Sequence, residues 1–140
     1  MKRFYVGSSF KNIANVRYVA QTLERKGYVN AYDWTQNASA RDAGTAALED
    51  LCSIGQRERD AVMRADVVVI LLPGGKGTHV ELGIAIAQGR RTILHSADQD
   101  INNPATTSTF YHLPEVEKCH GTLDDLLAMI VGRDVPAASA

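Results

Sequence analysis

In the stretch LLPGGKGTHVELG, Leu71–Gly83, a carboxylate follows a glycine-dense turn. Gly74, Gly75 and Gly77 bracket Lys76, Thr78 comes next, and Glu81 stands three residues later. Two chemistries fit these residue types. Thr78 and Glu81 have the S/T-x-x-E spacing of a capping box, with Thr78 as N-cap and Glu81 at N3 of a helix. The other is a ligand site. Glycines let backbone approach a ligand with amides turned outward, and a helix start there favours an anion. Glu81 would then be free to act as a nucleophile. The spacing is neither the Walker pattern nor G-x-G-x-x-G, since position 80 is valine, which argues against triphosphate hydrolysis and a dinucleotide site.

Two other stretches carry candidate groups. In GSSFKN, Gly7 allows close approach, Ser8 and Ser9 offer hydroxyls, and Lys11 offers an ammonium that suits a phosphate. The same residues could simply cap a helix. In YDWTQN, Asp33 could give a proton to a leaving group or cap a turn. Trp34 could stack a base for about 1–3 kcal/mol or sit in the core. Glu58 and Arg59, on a charge-rich helix, either reach the site or face water. His79 is expected at the surface. Neither the other histidines nor Cys52 and Cys119 have metal-ligand spacing, so no metal and no cofactor are expected.

The elements that must position these groups alternate. Arg3–Gly7 is a short apolar strand, and Ile13, Val16, Ala20 and Leu23 then recur at helical spacing before a glycine stop. The stretch 28–34 reads as a second strand and 35–44 as polar loop. Helix is expected over 45–65, with Gly55 a possible break. Asp66–Leu72, continuous and β-branched, suits a central strand of a parallel sheet. A helix over Thr78–Gly89, a strand at Arg91–Ser96, a polar loop, a last strand within Thr109–Cys119 and a helix over Thr122–Gly132 complete the chain. The alternation predicts an α/β fold: a single doubly wound, Rossmann-like parallel sheet of about five strands with helices on both faces. Ligands bind such sheets beyond the carboxyl ends of the strands, where all three candidate stretches fall.

The chain has 140 residues, 45% of them apolar and 22% charged, with a net charge of −1, values that fit one globular domain over 1–133 and a short tail over 134–140. Near-neutral charge gives no footprint for a nucleic acid polymer or an anionic membrane. The opening MKRFYVGSSF holds only a three-residue apolar run, so no signal peptide is expected and the protein is expected to be cytoplasmic and soluble.

The stretch ADVVVILLPGGKGTHVELGIAIAQGRRTIL resembles the core of the nucleoside 2-deoxyribosyltransferase family and its nucleotide N-glycosidase relatives. The resemblance implies that Glu81 is the nucleophile and that Tyr5, in YVGSS, is the site tyrosine. It also implies that Gly7, Ser8, Ser9 and Lys11 surround a 5′-phosphate. Glu58, eight residues before Asp66, takes the place of a site aspartate. Many transferases carry a further aspartate six residues before the nucleophile, where this chain has Gly75. PGGKGTHVE also resembles the P-G-G-x-G-T-x-x-E signature of cytokinin-activating phosphoribohydrolases, with Arg59 near the place of an upstream arginine. Both resemblances imply breakage of an N-glycosidic bond in a nucleoside or nucleotide, and a homo-oligomer. Positive charge develops at C1′ in that reaction, so the carboxylate must be ionised; helix-start amides are expected to keep Glu81 so. The alternative is a module of the same fold that binds a nucleotide without turnover.

Overall fold

The computed structural model describes residues 2–37, 44 and 47–134. The strands are β1 (Arg3–Gly7), β2 (Val29–Asn30), β3 (Val67–Leu71), β4 (Arg91–His95) and β5 (Val116–Cys119). They form one parallel sheet in the order β2-β1-β3-β4-β5. The helices are α1 (Ile13–Arg25), α2 (Leu48–Arg64), α3 (Lys76–Ala87) and α4 (Leu123–Asp134). Helix α1 packs with α4, and α2 with α3. The part of the expected loop over 38–43, positions 45 and 46 of the expected helix, and residues 135–140 of the expected tail lie outside the described residues.

The strand order explains where a ligand can sit. The chain runs from β1 outward to β2, then returns past β1 to β3, so the direction of winding reverses between β1 and β3. Crossovers leave the two strands on opposite faces there, and a crevice opens at their carboxyl ends. Gly7 pairs with Ile70 at that end. Every residue of β3 is buried, as its unbroken β-branched run requires.

The helices bury single stripes. In α1 these are Val16, Val19, Ala20 and Leu23, and full burial of a valine or leucine contributes roughly 1.5–3 kcal/mol. Helix α1 stops at Gly27, whose φ of 92° suits glycine. There the Gly27 amide donates to the Glu24 carbonyl and Tyr28 N to Leu23 O, the pairing of a Schellman ending. Gly89 ends α3 in the same way.

The extent of β2, the expected break at Gly55 and the start of α3 differ from expectation. Strand β2 spans only Val29–Asn30, and Trp34 lies in a 3₁₀ turn, Trp34–Asn37. Asn30 Oδ1 accepts from the Tyr32 amide and Asp33 Oδ1 from the Thr35 amide. These local side-chain bonds compete with the ladder and turn the chain off the sheet edge. Gly55 breaks nothing: α2 runs on through it, at a cost of about 1 kcal/mol relative to alanine. Helix α3 begins at Lys76, two residues before the expected Thr78.

Candidate active site

The early start of α3 reassigns Thr78 and Glu81. Gly75 is the N-cap, and Thr78, now at N3, accepts from the Gly75 amide through Oγ1 at 3.0 Å. The Thr78 methyl packs on Gly74; a Cβ at Gly74 would lie 2.7 Å from Cγ2. The expected box of Thr78 as N-cap and Glu81 at N3 is therefore replaced by a Gly75–Thr78 cap. Glu81 sits beyond the first turn and is released from capping.

Its carboxylate points instead to the sheet. The Tyr5 hydroxyl, from the middle of β1, donates to Glu81 Oε2 in a short hydrogen bond, and Glu58 Oε2 of α2 lies 3.4 Å from the same hydroxyl. Tyr5 is fully buried and Glu81 only 7% exposed. Gly7 makes the approach possible, since a Cβ there would stand 2.9 Å from Glu81 Oε1. Three elements thus converge on one carboxylate.

Burial dominates its electrostatics. Desolvation raises the Glu81 pKa from 4.5 to about 8; the Tyr5 hydrogen bond pulls it down, and the Glu58 carboxylate pushes it up. Burial, followed by the fields of Glu81 and Glu58, holds the Tyr5 hydroxyl well above the usual tyrosine range. The expectation that helix-start amides keep Glu81 ionised fails in the free protein. The residue is past the turn where those amides act, and lost solvation outweighs them.

Glu58 and Glu81 open onto a cavity of about 270 Å³ at the carboxyl ends of β1 and β3, with Tyr5 buried behind them. Ser8, Ser9, Gly75, Gly77, Thr78, Glu58 and Glu81 line it, as does Trp34. Trp34 is both core and lining: it is buried, its Nε1 donates to the Val6 carbonyl at 2.6 Å, and Phe10 meets it edge-on at 5.4 Å. Ser8 Oγ donates to the Leu71 carbonyl at 2.7 Å, and the Ser9 amide to Pro73 O at 3.2 Å, which ties the β1 loop to the glycine turn.

Other candidates lie elsewhere. Lys11 is exposed and outside the lining, and its amide donates to Ser9 Oγ. Arg59 is exposed and pairs with Asp60 at 3.0 Å. Asp33 is exposed and caps Thr35, so its carboxylate stays off the cavity wall. Sequence reasoning missed four lining residues: Phe10, Asn37, Ile54 and Lys76. Ile54 lies one helical turn before Glu58, a spacing that could have found it. Lys76 replaces Lys11 as the lysine at the cavity. Asn37 carried no signal in the sequence. No group of three metal-ligating side chains occurs among the described residues, and no helix there is long and apolar enough to cross a membrane.

The family model of nucleoside 2-deoxyribosyltransferases matches residues 4–119, from β1 through β5. The chain belongs to that family. The match includes Tyr5, Glu58 and Glu81, and it places the chain among proteins that cleave or transfer at an N-glycosidic bond. No curated protein matches the sequence. Among solved structures the chain is similar to the Clostridium botulinum CMP N-glycosidase BcmB, with 20% identity and a TM-score of 0.63. That similarity covers 94% of this chain and 99% of the other, and it bears on the fold.

Proposed function

We propose that this chain cleaves the N-glycosidic bond of a nucleoside or, preferentially, a nucleoside 5′-monophosphate, with Glu81 as nucleophile. One observation carries the reading: a buried carboxylate, held by a tyrosine on a neighbouring strand, opens onto a cavity. A Glu81 oxygen bonds to C1′ as the C1′–N bond breaks, and the bonding pair leaves with the base. Water or a second base then displaces the carboxylate. Glu81 passes its proton to Glu58 before attack, the departing base takes that proton up, and the proton lost by the incoming water or base restores the Glu81 acid. Glu58 lines the same cavity and contacts the same Tyr5 hydroxyl, so it is the acceptor in this reading. Tyr5 stabilises the ionised carboxylate. Trp34 and Phe10 give the base an aromatic wall, while Ser9, Lys76 and the first amides of α3 offer donors to a phosphate; the Ser8 proton is held by the Leu71 carbonyl. The same reading carries a homo-oligomer, which light scattering measures.

The test is a panel of nucleosides and 5′-monophosphates, with free base followed by chromatography. Base release by the wild type that vanishes in Glu81→Ala supports the reading; no release from any member removes it. One observation favours a second reading, nucleotide binding without turnover. Glu58 and Glu81, which share one hydroxyl, are the only carboxylates among the described lining residues, so no separate acid faces the base. A thermal shift with 5′-monophosphates and no free base identifies that case.

A further inference from the structure

We infer that His79 is a positioning residue for the glycine turn, braced from outside the cavity by Tyr111; the functional half of this inference rests on the proposed reading of the site. The Gly75 carbonyl accepts twice from the same residue. The His79 amide reaches it at 3.2 Å, and the imidazole Nδ1 at 2.8 Å. A carbonyl oxygen has no hydrogen to give, so Nδ1 carries the proton. In the neutral ring Nε2 is then an acceptor, and the Tyr111 hydroxyl, 2.6 Å away, donates to it.

The rings stack at 5.8 Å with 29° between their planes. Tyr111 is buried in the 3₁₀ turn Thr109–His112, whose N-cap Ser108 accepts from the Phe110 amide. The relay thus runs from a fixed turn after β4, through His79, to the N-cap of α3. Gly75 is the far end that lines the cavity, and its amide holds Thr78 Oγ1. Ser8 and Ser9 pin the other side of the same turn through the Leu71 and Pro73 carbonyls. Gly75 and Gly77 have open space around the positions of a Cβ, so packing does not set their orientation; the hydrogen bonds do.

Ring-nitrogen NMR and kinetics on the full chain test this. Wild-type His79 is expected in the Nδ1–H form, shifting toward Nε2–H in Tyr111→Phe, where the donor is gone. Tyr111→Phe and His79→Ala should each raise KM for the 5′-monophosphate by about three- to tenfold with kcat little changed, the size of one lost hydrogen bond. His79→Asn, whose amide nitrogen takes the place of Nδ1, should recover most of that loss, and His79→Leu should not. A merely structural role would instead lower the active fraction and leave KM alone. An Nε2–H ring in the wild type overturns the inference whatever the activity, as does an unchanged KM in both variants. If the wild type releases no base, the dissociation constant of ribose 5-phosphate replaces KM. A variant-sensitive constant then supports the relay although the glycosidase reading has failed; an insensitive one, or no binding by the wild type, overturns the relay.

Discussion

Gly7 on β1 and Glu81 on α3 face one another so closely that a Cβ on Gly7 would lie 2.9 Å from Glu81 Oε1 and 3.1 Å from Ile70 Cδ1. The glycine is needed for space, since its φ is not in the left-handed region. The missing side chain is what lets a helical carboxylate reach the hydroxyl of a sheet tyrosine.

Gly7→Ala should therefore displace the Glu81 carboxylate while the sheet still forms. Misplacement on the order of 1 Å costs about 100-fold in rate, so base release should fall by roughly that factor. A wild-type rate in Gly7→Ala would show that the close contact does not set the geometry.

Activity should rise with pH. Attack needs ionised Glu81, whose pKa in the free protein is about 8, so kcat/KM should climb through that value and level off above it. The neighbours move the limb in opposite directions. Tyr5→Phe removes the bond that lowers this pKa and should shift the limb up; Glu58→Gln removes a field that raises it and should shift the limb down. Parallel shifts in the two variants would contradict the arrangement.

Stability should run the other way. Between pH 4.5 and about 8 the native state keeps a proton that the unfolded chain has lost. Stability from this group is full below 4.5 and falls as pH rises through that window, by at most about 1.4 kcal/mol per unit. Glu81→Gln should flatten this slope and be the more stable form at pH 8. Urea unfolding across the window measures it, and identical slopes would refute it.

Trp34 is the chain's single tryptophan and lines the cavity, so a bound base should change its fluorescence. Trp34→Phe keeps an aromatic wall but leaves the buried Val6 carbonyl without its donor, which should cost about 1–3 kcal/mol. A ligand that binds by calorimetry without altering the emission would place the base elsewhere.

Lys76 and Lys11 separate two phosphate sites. Lys76→Ala should weaken a 5′-monophosphate about three- to tenfold and leave the nucleoside unchanged, because the side chain is exposed and screened. Lys11→Ala should change neither constant. The reverse pattern would put the phosphate on the β1 side.

The sheet and the candidate carboxylate Glu81 are legible in local pattern alone. A strand buried on both faces must be a continuous β-branched run, and a glycine-dense turn before a helix narrows the chemistry to a few residues; Val67–Leu71 and Gly74–Glu81 show both. Contacts between distant elements set the surroundings of those residues. Glu81 is buried because Tyr5, 76 positions earlier, and Glu58 of another helix close over it, and desolvation depends on such neighbours rather than on spacing. Asp33 and Trp34 turned away from strand geometry because nearby amides and the Val6 carbonyl claimed their polar atoms. Lys76 took the place expected of Lys11 because α3 began two residues early, a boundary fixed by the Gly75–Thr78 bond. Local pattern specifies elements; hydrogen-bond partners and burial, distant in sequence, specify a site.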